Sequence, residues 1–214
     1  MKKYLTPIIL CTVGLISACS NATNSSKDVE KVPKESVIKT VSAEDQKIID
    51  KYESYFKYYR EGNFEEFQNK MKEILPEVST ISDKKKREFM QMNIYMTLQN
   101  YNDAYALNEK QLKEKPNDTA RLTFRCQLLT LQKKEATLIN KCYDNLADVL
   151  KVELDKPENK SNPDYKIGEF SYLFAKYKAG HTEYKQKMQE YIAETKDEKL
   201  KASLTSLYDV EFEN

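Results

Sequence analysis

The chain has 214 residues, with 35 Lys plus Arg against 34 Asp plus Glu and a formal net charge of +1. That length suits one globular domain with short extras. The charge balance speaks against a nucleic-acid binder, which ordinarily carries a basic excess. Four Gly and no Trp leave little material for hairpin turns, Gly-rich phosphate loops or a β-sandwich. The expected fold class is all-α.

Met1-Lys2-Lys3 is a short positive start, and Tyr4 to Ala18 is apolar apart from scattered Thr and Ser. This is the layout of a secretory signal, too short and wrongly flanked for a lasting membrane span. It closes on Ile16-Ser17-Ala18-Cys19, which resembles a bacterial lipobox. The resemblance implies that residues 1–18 are removed and that Cys19, diacylated, becomes the amino terminus. The other reading is an ordinary signal cut elsewhere, with Cys19 incidental. Several acyl chains on one Cys give a stable anchor, where a single chain is marginal. Ser20 rather than Asp follows Cys19. In enterobacterial-type sorting this resembles an outer-membrane lipoprotein, expected to be lipid-anchored and to face the periplasm. From Ser20 to about Val41 the chain is polar, contains Pro33 and lacks an apolar period. Residues 19–42 therefore read as a flexible tether, with an r.m.s. reach of about 25 Å.

From Ala43 to the end, residues 43–214, apolar side chains recur at helical spacing. Ile48, Tyr52, Tyr55, Phe56 and Tyr59 predict a first helix, broken at Gly62-Asn63. Asn63 with Glu66 resembles a capping box opening a second helix, whose apolar face is Phe64, Phe67, Met71, Ile74 and Leu75 and whose stop is Pro76. Further helices are predicted over about 84–99 (with Phe89, Met90 and Ile94), 102–115, 119–131, 135–152, 165–179, 182–194 and 197–208. Thr195 and Glu198 again stand at capping-box spacing. About eight or nine helices result. Pro76, Pro116 and Pro157 follow one another at intervals of 40 and 41 residues. Each interval holds two helices and a turn, so the predicted unit is a helical hairpin that buries its face only by stacking on neighbours.

Within that pattern Tyr95, Tyr101, Ala104 and Pro116 have the aromatic, aromatic, small, proline spacing of a tetratricopeptide repeat, which the segment resembles. Tyr58, Gly62 and Phe64 echo its first half, and Gly180-His181 ends an earlier helix in the same way. The unit departs from that family's 34-residue period. Phe67 stands where a small residue belongs and Asn108 where an aromatic belongs, and 117–157 matches only through Ala136. The resemblance spans roughly residues 45–195. It implies a solenoid of stacked antiparallel hairpins whose groove binds protein; the alternative is a non-repeating helical bundle.

Residues able to do chemistry are scarce. The sole His, His181, follows Gly180 in a predicted turn and reads as a solvated loop residue. No nucleophile-elbow motif accompanies it. No His-Glu-x-x-His or Cys-x-x-Cys appears, so neither a metal nor a cofactor is expected. Acidic pairs such as Glu65-Glu66 and Asp197-Glu198 read as helix N-terminal charges. Cys126 and Cys142 lie equidistant from the turn at Gln132–Lys134. In an antiparallel hairpin they reach the same height, and an oxidising compartment favours a disulfide; the alternative is two thiols packed as small core residues. Tyr58 and Tyr95 lie off their helices' main stripes and are candidate partner-binding residues, since Tyr suits interfaces. Lys84-Lys85-Lys86-Arg87 reads as a solvated helix start.

The expected function is that of a non-enzymatic, membrane-anchored lipoprotein of the bacterial envelope, binding protein as an adaptor or assembly factor. The alternative is an immunity lipoprotein that neutralises a toxic effector, such as a phospholipase delivered by type VI secretion. An envelope hydrolase is a third reading, and it would have to use His181.

Overall fold

The computed structural model describes residues 41–212, which lie within one compact unit, Thr40–Asn214. Among the described residues there are α-helices and one 3-10 turn, and no strand. Helix α1 (Ala43–Ser54) opens with Ser42, whose hydroxyl accepts from the Asp45 backbone N–H at 3.0 Å. At Tyr55 the helix tightens: Tyr55 N donates to the Tyr52 carbonyl and Tyr58 N to that of Tyr55. These three-residue bonds are of the 3-10 kind and separate α1 from α2 (Phe56–Arg60), which the periodicity predicts as one helix. Then come α3 (Phe64–Val78), α4 (Lys84–Thr97), α5 (Tyr101–Glu114), α6 (Thr119–Leu131) and α7 (Ala136–Asp155). After the 3-10 turn Pro157–Ser161 follow α8 (Tyr165–Lys178), α9 (Tyr184–Glu194) and α10 (Glu198–Phe212).

Each helix from α3 onward packs on the next in the chain, the nearest-neighbour arrangement of a repeat stack. The architecture is all-α and repeat-like, built of antiparallel hairpins. Its regularity is clearest in the turns. The first helix of every hairpin ends on a left-handed residue: Gly62 (φ 74°), Gln99 (φ 55°), Lys133 (φ 54°) and Gly180 (φ 101°). Around each, the same two bonds close the helix. Asn63 N donates to the Tyr58 carbonyl, Asn100 N to Tyr95, Lys134 N to Leu129 and His181 N to Lys176, while the left-handed residue itself donates three residues back. This is the Schellman cap, made four times. The caps stand 37, 34 and 47 residues apart, not the even 40 that the prolines suggest. The long third interval contains the 20-residue α7 and the 3-10 turn.

Several expectations need correction. Pro76 lies inside α3 rather than ending it. It sits on an exposed position of the last turn, and continuing past it seats Val78 and Ile81, both wholly buried. The helix ends instead where the Ser79 and Thr80 hydroxyls donate to the Leu75 and Glu77 carbonyls. Pro116 and Pro157 do follow helix ends: Lys115 (φ −137°, ψ 81°) and Lys156 (ψ 124°) leave helical geometry, the conformation favoured before a proline. Thr195 does not cap α10; Asp197 does, accepting from the Leu200 N–H at 2.8 Å. Phe64 and Phe89 are exposed rather than on an inner face.

The apolar interior falls into three clusters. The first joins α1, α3 and α4 through Ile49, Tyr52, Met71, Ile74 and Ile94. The second runs from α5 to α8 through Leu112, Cys126, Leu146 and Ala175. The third closes the stack with Phe170, Met188, Leu204 and Tyr208. Each large side chain so buried contributes about 1.5–3 kcal/mol. Between the first two clusters α4, α5 and α6 meet partly through polar groups, Glu88, Asn108 and Gln111. Among the described residues, no helix is long and apolar enough to cross a membrane.

Candidate functional site

The repeated cap gives the two candidate tyrosines a common address. Tyr58 and Tyr95 supply the carbonyl that closes the Schellman cap in the first and second hairpins, the position held by Leu129 and Lys176 in the third and fourth. They are thus equivalent residues of successive hairpins rather than neighbours in one pocket. Tyr58 is half-buried against the first core cluster, and Lys57 Nζ stands 4.8 Å from its ring centre. Tyr95 is half-buried in α4. Burial, with the Asp103 carboxylate nearby, pushes its phenol above the ordinary value, so it remains a neutral donor.

The stripe of the first helix leads to an aromatic string that periodicity alone does not assemble. Tyr52 packs edge-on against Phe56 at 5.3 Å, Phe56 meets Phe67 at 5.3 Å, Phe67 meets Tyr59 at 5.5 Å, and Tyr59 meets Phe64 at 5.5 Å. The string begins in the core and ends at the surface, where Phe64 is 57% and Tyr59 46% exposed. Exposed rings supported from beneath by buried ones are rigid contact area.

Cys126 and Cys142 are joined by a disulfide across the α6–α7 hairpin, with Cα atoms 5.6 Å apart. Cys126 is wholly buried, and its carbonyl accepts from the Thr130 hydroxyl. The bond lies within the second core cluster. Cys19, its lipobox and the tether up to residue 40 lie outside the described residues.

His181 is not the free loop residue its turn suggests. Its Nε2 lies 3.0 Å from Asp144 Oδ1 on α7, an oxygen that also accepts from Lys176 Nζ at 2.7 Å. The two bonds hold the Asp144 carboxyl below the usual carboxylate range, Lys176 having the larger effect. Tyr184 stands beside the imidazole, ring centres 6.2 Å apart. Glycine suits this position: a Cβ on Gly180 would sit 3.1 Å from Asn140 Nδ2, and its φ is left-handed. The group ties the α8–α9 turn to α7.

The basic run at 84–87 is also partly spent internally. Lys84 pairs with Glu114, and Arg87 donates to the Ile81 carbonyl. Asp83 caps the helix by accepting from Lys86 N, and Lys85 and Lys86 face solvent. One turn further on, Glu88 is 6% exposed. Gln111 Nε2 donates to its Oε2 at 3.0 Å, and Arg121 donates to Gln111 Oε1, which links α4, α5 and α6. Burial pushes the Glu88 carboxyl up, but Gln111 and Lys110 outweigh it and the group stays below its usual value, hence ionised. Asn108, the departure from the aromatic position, is wholly buried and donates to the Arg121 carbonyl at 3.1 Å.

Among the described residues, no group of three or more His, Cys, Asp or Glu side chains is placed to hold a metal ion. No known protein family, curated protein or solved structure matches this chain.

Proposed function

We propose that this is a lipid-anchored protein of the bacterial envelope, held in the outer membrane through acylated Cys19, that binds another protein as an adaptor or assembly factor. It performs no catalysis of its own. The observation that supports this reading is the equivalence of Tyr58 and Tyr95 in successive hairpins. A stack that repeats one residue at one position offers an extended partner the same contact twice, the way repeat proteins use their surface, and Tyr is favoured at such contacts. The non-catalytic reading draws on the sequence, in which His181 is the sole histidine and no nucleophile-elbow motif accompanies it. The lipid would concentrate the protein where its partner works.

The test is capture of envelope proteins by the full-length lipidated protein in detergent, wild type beside Tyr58→Ala plus Tyr95→Ala. A stoichiometric partner whose affinity falls ten-fold or more in the double variant, with the melting temperature within a few degrees, supports the reading. A partner bound equally by both forms overturns the role of the tyrosines. Capture of one toxic enzyme, inhibited on mixing, replaces the adaptor by an immunity protein.

A further inference from the structure

Between the second and third hairpin turns lies a cleft of about 370 Å³, lined by Gln99, Asn100, Tyr101, Asn102, Gln132 and Lys134. The backbone beside it is unusual. Of the four left-handed turn residues, the first and last are Gly62 and Gly180, whereas the two nearest this cleft are Gln99 and Lys133. Glycine adopts that conformation freely and other residues are disfavoured in it. The two turns that adjoin the cleft thus carry a side chain at the left-handed position, and the other two carry none.

The lining has a narrow chemistry. Four of the six residues are carboxamides, each offering two donors and an acceptor, beside one phenol and one ammonium. The six include no carboxylate and no aliphatic side chain. Part of this capacity is used within the fold: Gln132 Nε2 donates to the Tyr101 carbonyl at 2.9 Å, tying the two turns together, and the Asn100 amide donates to Asp103. Gln99, Asn102 and Lys134 are exposed, and the acceptor oxygen of Gln132 is not needed for its bond to Tyr101.

An acyl chain finds nothing here to bury against, and a cation finds no carboxylate. A protein partner would lack the apolar centre on which protein interfaces depend. Mixed donors and acceptors around one phenol do match a ligand whose groups each donate and accept. We propose that this cleft binds a short saccharide. Gln99, Asn102 and Gln132 would exchange hydrogen bonds with its hydroxyls, and Lys134 would donate to them. The site is distinct from Tyr58, and the proposal does not depend on the protein-binding reading.

The test uses the full-length protein in detergent with three probes: cellotetraose, chitotetraose and tetra-alanine. Binding is followed by calorimetry and by the backbone amide signals of Tyr101, Asn102, Gln132 and Lys134. The expected result is saturable shifts at these amides with at least one saccharide, weakened ten-fold or more by Asn102→Ala and by Gln99→Gly. Gln99→Gly removes a side chain while relieving the backbone, so its melting temperature should equal or exceed that of the wild type, and loss of binding is then not loss of fold. The proposal is overturned if neither saccharide shifts these amides, if both variants bind as the wild type does, or if only tetra-alanine binds.

Discussion

Cys126 on α6 and Cys142 on α7 are bonded across a hairpin whose turn lies midway between them, with Cα atoms 5.6 Å apart. The pairing follows from antiparallel geometry: residues equally distant from a turn come level with each other. Closing a loop of this size, with a sequence separation of 16, stabilises a fold by about 3 kcal/mol, chiefly by restricting the unfolded chain. Reduction, or Cys142→Ser, should lower the unfolding free energy by about that amount in urea titrations. An unchanged midpoint after reduction would mean that the hairpin packing alone carries the third repeat.

Asp45 offers a pH signature. It is 5% exposed, and both carboxylate oxygens lie 3.2 Å from the backbone N of Ser82, while the Ser82 hydroxyl also donates to it. That hydroxyl bond is the main reason its carboxyl lies below the usual value, against the opposing effect of burial. A carboxyl depressed in the folded state stabilises it above the unfolded pKa, and the contribution is lost as pH falls through the folded pKa. Ser82→Ala should raise the Asp45 pKa in a carboxyl NMR titration and move the acid-unfolding midpoint to higher pH. No movement of either would show the contact to be unimportant.

The four Schellman caps order a set of substitutions. Gln99→Gly should stabilise by up to about 1 kcal/mol, because glycine suits the C′ position. Gly62→Ala should destabilise by about 1 kcal/mol, from the left-handed conformation alone, since nothing lies within 4 Å of the added Cβ. Gly180→Ala should cost more, since its Cβ would also crowd Asn140 Nδ2 at 3.1 Å. Thermal melts of the three variants check the order, and equal melting temperatures for Gly62→Ala and Gly180→Ala would remove the steric part.

At the junction of the first two cores, Glu88→Ala and Lys110→Ala should differ. Removing Glu88 leaves the buried Gln111 amide without its acceptor, costing about 1–3 kcal/mol. Lys110 Nζ is 3.3 Å from Glu88 Oε1 without an aligned hydrogen bond, and its side chain is 60% exposed. Its loss should cost under about 1 kcal/mol. Denaturant titrations of both variants decide whether the carboxamide or the ammonium is the significant partner; equal losses would favour the ammonium.

What the residue order determined by itself was local. The helix predicted over 119–131 is α6, Thr119–Leu131, because a 3.6-residue apolar period is set within a few residues. The Cys126–Cys142 pairing was legible for a related reason, since one short turn sets their heights. Tertiary structure alone decided the rest. Nothing near Asp45 announces Ser82, 37 residues away, and nothing near His181 announces Asp144, also 37 residues away. Glu88, Gln111 and Arg121 meet because three helices stack in one register. Pro76 was misleading because a helix ends where packing stops rewarding it, and Val78 and Ile81 still had a core to enter. The polar cleft beside Gln99 belongs to the same class: its lining comes from two successive turns, and only the stacking of one hairpin on the next brings them together.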